Sequence, residues 1–255
     1  MKIDRARVLR AFDEYVRNYD NRDQKVHLKI EHTYRVSGLC ERIAASLNLS
    51  QEDVELSWLL GMLHDIGRFE QLKNYGTFID SQSIDHAIYG AQILFGQGKI
   101  RDFVKEEEED GLLQTAVTFH SAYRLPESLD HRTRMFCNIL RDADKIDILK
   151  ANVDCPLEEI YNVTTEELRN SVISREVMKA FREKHAVLKS LKKTPADCVV
   201  SLISLVYELV YPLSLEIIKE QGYLNQVMDF KWDNPETVKQ FQEIRRIMTG
   251  YLDRS

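Results

Sequence analysis

Histidine and aspartate carry the most chemical potential in this chain. His64 is followed directly by Asp65 in LLGMLHDIGRF, where an apolar run ends and a glycine-containing stretch begins. The dipeptide alone says little. His32, however, extends the stripe of Val36, Leu39 and Ile43 at helical spacing, and His120 continues the face of Leu113, Ala116 and Val117. His86 shares a helix face with Gly90 and Ile93. Any one of these reads as an ordinary core histidine held by a hydrogen bond. Four of them on four separate helices, together with a buried carboxylate, read as metal ligands, because imidazole and carboxylate suit Zn, Fe, Mn and related ions.

The second acidic candidate lies in RDADKIDIL. Arg134, Asn138, Arg141 and Lys145 form the expected polar face of that helix. Asp144 lies about 100° from the centre of this face and Asp147 about 160°, so both turn toward apolar surroundings. A buried carboxylate is costly unless it is paired or bound to a metal. One of the two therefore needs a cation, and helical phase alone slightly favours Asp147.

The elements that must position these residues are helices. The spacing predicts helices over about Asp4–Tyr19, Val26–Leu47, a stretch capped by Ser50 and ending at Asp65, Gly111–His120 and Thr133–Leu149. Ile66–Gln82 has no clean period and reads as a loop, with Ser83 capping a short helix that carries His86. Thr165, Thr194 before Pro195, and Asn234 before Pro235 are expected caps in the C-terminal third. Ten glycines and five prolines among 255 residues are about half the usual share, roughly 12%. That shortage of turn residues excludes a sandwich or barrel, and 44% hydrophobic residues exclude a disordered chain. The expectation is a single all-α domain over 1–255, with a motif-bearing core at about 25–150 and a helical extension from about 155.

A net charge of -6 argues against a duplex nucleic-acid partner, which needs a basic face. It does not exclude an anionic small substrate, since a bound metal dominates its local field. The four scattered cysteines, without a CxxC pair, are expected as reduced core thiols. The charged N-terminus and the interrupted apolar stretch Val199–Leu215 predict no signal peptide and no membrane association, and a cytoplasmic protein.

The ordered set His32, His64-Asp65, His86, His120 and Asp144 resembles the HD superfamily of metal-dependent phosphohydrolases. HDIGR at His64–Arg68, DHAIYGAQIL at Asp85–Leu94, FHSA at Phe119–Ala122 and DADKID at Asp142–Asp147 carry the likeness. It spans roughly Lys25–Lys150. The resemblance implies a helical core around the metals and favours Asp144 over Asp147 as ligand. It implies that His32, His64, Asp65 and Asp144 hold one divalent transition metal, and that Asp65 bridges to a second held by His86 and His120. Fe or Mn is favoured, with Ni, Co, Zn or Mg also compatible. In such a centre a metal-activated hydroxide attacks phosphorus, and two metals about 3.5–4 Å apart clamp the attacking and leaving oxygens.

The implied substrate is a phosphorylated small molecule, with a nucleotide expected. Its phosphates need further cations. Arg68, just after Asp65, is the first candidate, and Lys73 and Arg124 follow ligand segments. Asp65, Arg68 and Lys145 are the residues expected nearest the chemistry, although the helical phase of Lys145 faces solvent. Tyr75, Phe78 and Tyr123 are candidates for stacking on a base. The chain lacks the Gly-Tyr-Pro signature of one cyclic-dinucleotide branch and reads RFE after HDIG. The same ligand set also serves di-iron oxygenases of the superfamily and silent metal-binding modules. A homo-oligomer is compatible with the sequence.

Overall fold

The computed structural model describes residues 1–255 apart from 21, 162 and 255. Among the described residues the regular structure is entirely helical. The chain divides into two compact units, 1–144 and 145–255.

In the first unit, α1 (Arg5–Val16) starts on Asp4, whose carboxylate accepts the Arg7 amide, and buries Val8, Ala11, Phe12 and Val16. Then α2 (Gln24–Ser46), capped by Asp23, buries the expected stripe of His32, Val36, Leu39, Cys40 and Ile43. Next, α3 (Gln51–Leu63) starts on Ser50, which accepts the Asp53 amide. Every residue from Leu56 to Leu63 is buried, as expected of a helix enclosed on all sides. It packs on α2 so closely that a Cβ on Gly61 would stand 2.4 Å from Ser37 Cα.

The stretch expected to be a loop is largely helix. α4 (Ile66–Tyr75) follows Asp65 and ends at Gly76, whose left-handed φ of 68° suits glycine. Its inward residues are Ile66, Gly67, Phe69, Gln71 and Leu72. A buried glutamine and a glycine interrupt the apolar pattern, which hid the helix from a reading of hydrophobic spacing. The cap of α5 (His86–Ala91) is Asp85 rather than Ser83: its carboxylate accepts the amides of Ala87 and Ile88. A π-helical turn, Gln92–Gly96, continues it. The unit is completed by α6 (Ile100–Phe103), α7 (Asp110–Phe119) and the first part of α8 (His131–Asp154).

The second unit holds the remainder of α8 and α9 (Leu157–Tyr161), α10 (Thr165–Asn170), α11 (Arg175–Arg182), α12 (Pro195–Ser204), α13 (Pro212–Gln221), α14 (Tyr223–Met228) and α15 (Pro235–Leu252). Thr194 caps α12 in a reciprocal box with Asp197, and Asn234 caps α15, both with proline at the first turn. The cap of α10 is Thr164, one residue before the expected Thr165. Asp197 is fully buried and accepts from Ser174 N and Oγ, Lys193 N and Thr194 N, which ties α12 to the segments before it. All four cysteines are free. No helix among the described residues is long and apolar enough to cross a membrane.

Candidate metal centre

Three helices, one inter-helix junction and one helix end of the first unit bring the six expected ligands together. His32 comes from the middle of α2, and His64 and Asp65 from the junction of α3 and α4. His86 opens α5, His120 ends α7 and Asp144 lies within α8. His32, His64, Asp65, His86 and His120 are all buried.

The Asp65 carboxylate divides the cluster in two. Its Oδ2 faces His32 Nε2 and His64 Nε2, each at 3.5 Å. Its Oδ1 faces His86 Nε2 at 3.6 Å and His120 Nε2 at 3.7 Å. Asp144 Oδ1 joins the first group, 3.1 Å from His32 Nε2 and 3.8 Å from His64 Nε2. Asp147 is buried too, but it is Asp144 whose Oδ1 lies beside His32 and His64. The weak preference of helical phase for Asp147 therefore does not hold. It rested on placing Arg141 on a solvated face, whereas Arg141 is buried. Its guanidinium donates to the carbonyls of Phe119, His120 and Ala122 at the end of α7. There it satisfies carbonyls that the helix leaves open, and fixes the backbone of His120.

The outer ring nitrogens decide the tautomers. His64 Nδ1 is 2.8 Å from the Gly61 carbonyl, and His120 Nδ1 is 2.7 Å from the Val117 carbonyl. A carbonyl only accepts, so each Nδ1 carries the proton and each Nε2 presents its lone pair inward. His86 donates its Nδ1–H to Asp80 at 2.9 Å. Yet His86 Nε2 and His120 Nε2 lie only 3.1 Å apart, and His32 Nε2 and His64 Nε2 only 3.2 Å. Between His86 and His120 this sets two lone pairs face to face, which repel unless a cation draws both. The donors present therefore fit metal ions, one in the His32, His64, Asp65 group and one in the Asp65, His86, His120 group.

Electrostatics keep the ligands in their binding forms. Burial lowers His64 and His86 to about 4, against the pull of nearby carboxylates. Burial pushes the Asp65 carboxyl up, but Lys29, His64, His120 and Arg68 hold it well below the usual range. Asp144 is likewise held low, with burial opposed by His32 and His64. His64 and His86 are thus neutral and Asp65 and Asp144 ionised at neutral pH, as ligation requires.

Two site residues went unnoticed in the sequence. Lys29, one turn before His32, donates to Asp65 Oδ2 at 2.7 Å. Asp80 accepts from His86, from Arg68 NH1 at 2.9 Å and from Gln71 Nε2 at 3.0 Å. Lys29 reads as a polar position of an amphipathic helix, and Asp80 lies in a stretch with no period. Neither type nor spacing gave a signal for them.

The expected substrate cations are distributed unevenly. Arg68 stands at the cluster, with Nε 3.7 Å from Asp65 Oδ1. Its NH1 is committed to Gln71 Oε1, the Phe78 carbonyl and Asp80. Lys73 is not brought to the cluster. It pairs with Glu70 at 3.8 Å, lies over the Tyr19 ring, and lines a separate cavity of about 490 Å³ that contains none of the six ligands. Arg124 is exposed on the loop after His120, over Tyr123. Lys145 follows Asp144 in α8 and belongs to the second unit. Of the expected aromatics, Phe78 lies under both Lys29 and Arg68, and Tyr75 and Tyr123 are exposed. Gly67 and Gly90 crowd one another: a Cβ on Gly67 would stand 2.2 Å from the His86 carbonyl and 2.6 Å from Gly90 N.

Residues 30–152 match the family model of the HD domain. No curated protein and no solved structure gives a significant match to the chain. The matched segment contains all six residues of the cluster, within an all-helical unit, and residues 30–152 of this chain are an HD domain, a family of largely metal-dependent hydrolases that bind divalent metals.

Proposed function

We propose that this chain is a metal-dependent phosphohydrolase that cleaves a phosphoester or phosphoanhydride bond of a nucleotide or related phosphorylated small molecule. The observation that carries the reading is the Asp65 carboxylate, which turns one oxygen to each histidine group. That is the arrangement of a bridging ligand in a two-metal site. Two divalent ions, Fe or Mn in first place, would be held by His32, His64, Asp65 and Asp144 and by Asp65, His86 and His120. When bound, they supply Lewis-acid polarisation of the phosphoryl group and activation of a water nucleophile.

The chain's own groups do the rest. The imidazoles of His64, His86 and His120, each held by an outer acceptor, keep the ligand atoms in place without rearrangement. Arg68 adds positive charge beside Asp65 Oδ1 and favours an anion at the second group. Arg124, exposed after His120, is in reach of solvent and suits the outer part of a substrate. No Ser or Cys nucleophile is required.

The test combines elemental analysis of protein purified without added metal with a screen for phosphate release from nucleotides, phosphomonoesters and phosphodiesters. Bound transition metal and metal-dependent phosphate release are expected. Oxygen uptake by iron-loaded protein with a polyol or organic phosphonate, with no phosphate release from any ester, would replace this reading with a di-iron oxygenase.

A further inference from the structure

Two cations flank the bridging carboxylate, one on each oxygen. Lys29 Nζ donates to Asp65 Oδ2 at 2.7 Å, on the side of His32 and His64. Arg68 Nε lies 3.7 Å from Asp65 Oδ1, on the side of His86 and His120, and is buried without a hydrogen-bond partner. Both charges sit over the same ring: Lys29 Nζ is 5.6 Å and Arg68 Cζ 5.8 Å from the Phe78 centroid. Arg68 is anchored through NH1, whereas Lys29 makes one ion pair on a flexible stem and keeps 17% of its side chain exposed. Its position is fixed to a ligand, one helical turn before His32.

The charge balance of this arrangement is positive once two dications are bound. The six ligands include only two carboxylates, Asp65 and Asp144. With two divalent ions they leave surplus positive charge, to which Lys29 and Arg68 add and which Asp80 only partly offsets. A dication on Oδ2 also takes over the interaction that holds Lys29 there, and repels the ammonium. An ammonium has three donors and needs new acceptors. A phosphoryl oxygen at the same centre provides them, and a terminal phosphoryl group, close to dianionic at neutral pH, matches the surplus better than a singly charged internal diester.

On the phosphohydrolase reading above, we propose that Lys29 is a substrate-binding residue, whose ammonium turns from Asp65 to an oxygen of a terminal phosphoryl dianion and, with Arg68, selects terminal phosphoryl groups over internal phosphodiesters.

The test compares wild type with Lys29→Met, Lys29→Gln and Lys29→Arg. Calorimetry measures Mn(II) binding without phosphate and inorganic phosphate binding to the Mn(II)-loaded proteins. Hydrolysis of a phosphomonoester and of the matching diester is measured alongside. Lys29→Met and Lys29→Gln should bind Mn(II) at least as tightly as wild type and inorganic phosphate about ten- to a hundredfold more weakly, the worth of one charge-assisted hydrogen bond. Lys29→Arg should recover most of the phosphate affinity, and wild type should prefer the monoester. A merely structural ion pair predicts the reverse: weakened Mn(II) binding with phosphate affinity unchanged. That result, or a wild-type preference for the diester, overturns the proposal. Wild type that binds Mn(II) but hydrolyses no ester removes the phosphohydrolase reading itself. Active wild type whose Lys29→Gln variant binds phosphate equally well removes only the role of Lys29.

Discussion

Asp80 accepts the Nδ1–H of His86 at 2.9 Å and 3.0 Å through its two oxygens, so the carboxylate sets both the tautomer and the ring plane of this histidine. The same Asp80 Oδ1 accepts from Arg68 and Gln71. One side chain on the segment after α4 thus braces a ligand and the neighbouring cation together. His64 and His120 use backbone carbonyls for the same purpose, so Asp80 is a brace specific to the second histidine group.

Asp80→Ala should therefore weaken the second metal selectively. Loss of such an outer partner typically costs about 10–100-fold in metal affinity. Two-site titration with Mn(II) should show one site near its wild-type affinity and one weakened. Equal weakening of both sites would show that Asp80 supports the unit as a whole rather than His86.

Asp65→Ala reaches both groups at once. It removes the shared carboxylate and leaves Lys29 and Arg68 without the charge they face. Elemental analysis should find most of the metal gone, and turnover should fall to background. Retention of two metals and full activity would sink the bridging assignment, since each histidine group would then hold its metal without the shared carboxylate.

The metal-free protein should lose stability as the medium is acidified below neutrality. Burial lowers His64 and His86 to about 4 from an ordinary 6.5. Between those values the unfolded chain binds more protons than the folded one, so stability falls as pH falls through the window. For the His64 step alone the loss is on the order of 3 kcal/mol. Asp65, Asp80 and Asp144 are also held low when folded, and their contribution is lost at still lower pH. Urea unfolding of chelated protein at pH 7.5 and about pH 5 checks this: equal midpoints would contradict the burial of neutral histidines.

His32 and His120 stood out in the sequence because each continues an apolar stripe at helical spacing, while the full candidate set came from the resemblance to the HD superfamily. Asp144 shows the limit. Phase was measured from a polar face that included Arg141, and a buried arginine capping α7 looks the same in sequence as a solvated one. The helix α4 was hidden for a related reason: Gln71 faces inward, where it donates to Asp80, Ser83 and the Ile84 carbonyl. Lys29 and Asp80 depend on how α2 and the segment after α4 meet Asp65. Hydrophobic periodicity carries no record of such polar contacts between distant segments.

The contact of Gly67 with Gly90 gives the most local test of how the helices set the metal groups. α4 and α5 touch here backbone to backbone: a Cβ on Gly67 would meet the His86 carbonyl at 2.2 Å and Gly90 N at 2.6 Å. Neither neighbour is a flexible side-chain end, so Gly67→Ala must move α5 and His86 with it. Ordinary overpacking costs about 1–3 kcal/mol, and rigid neighbours place this substitution at the upper end. Gly38→Ala is the control, because nothing lies within 4 Å of its Cβ position. The unfolding midpoint should drop for Gly67→Ala and hold for Gly38→Ala. Binding at the His86 and His120 group should weaken with it, while the His32 and His64 group, on α2 and the end of α3, should keep its affinity. A Gly67→Ala protein with unchanged stability and both sites intact would show that α5 shifts freely, and that His86 is not held by this contact.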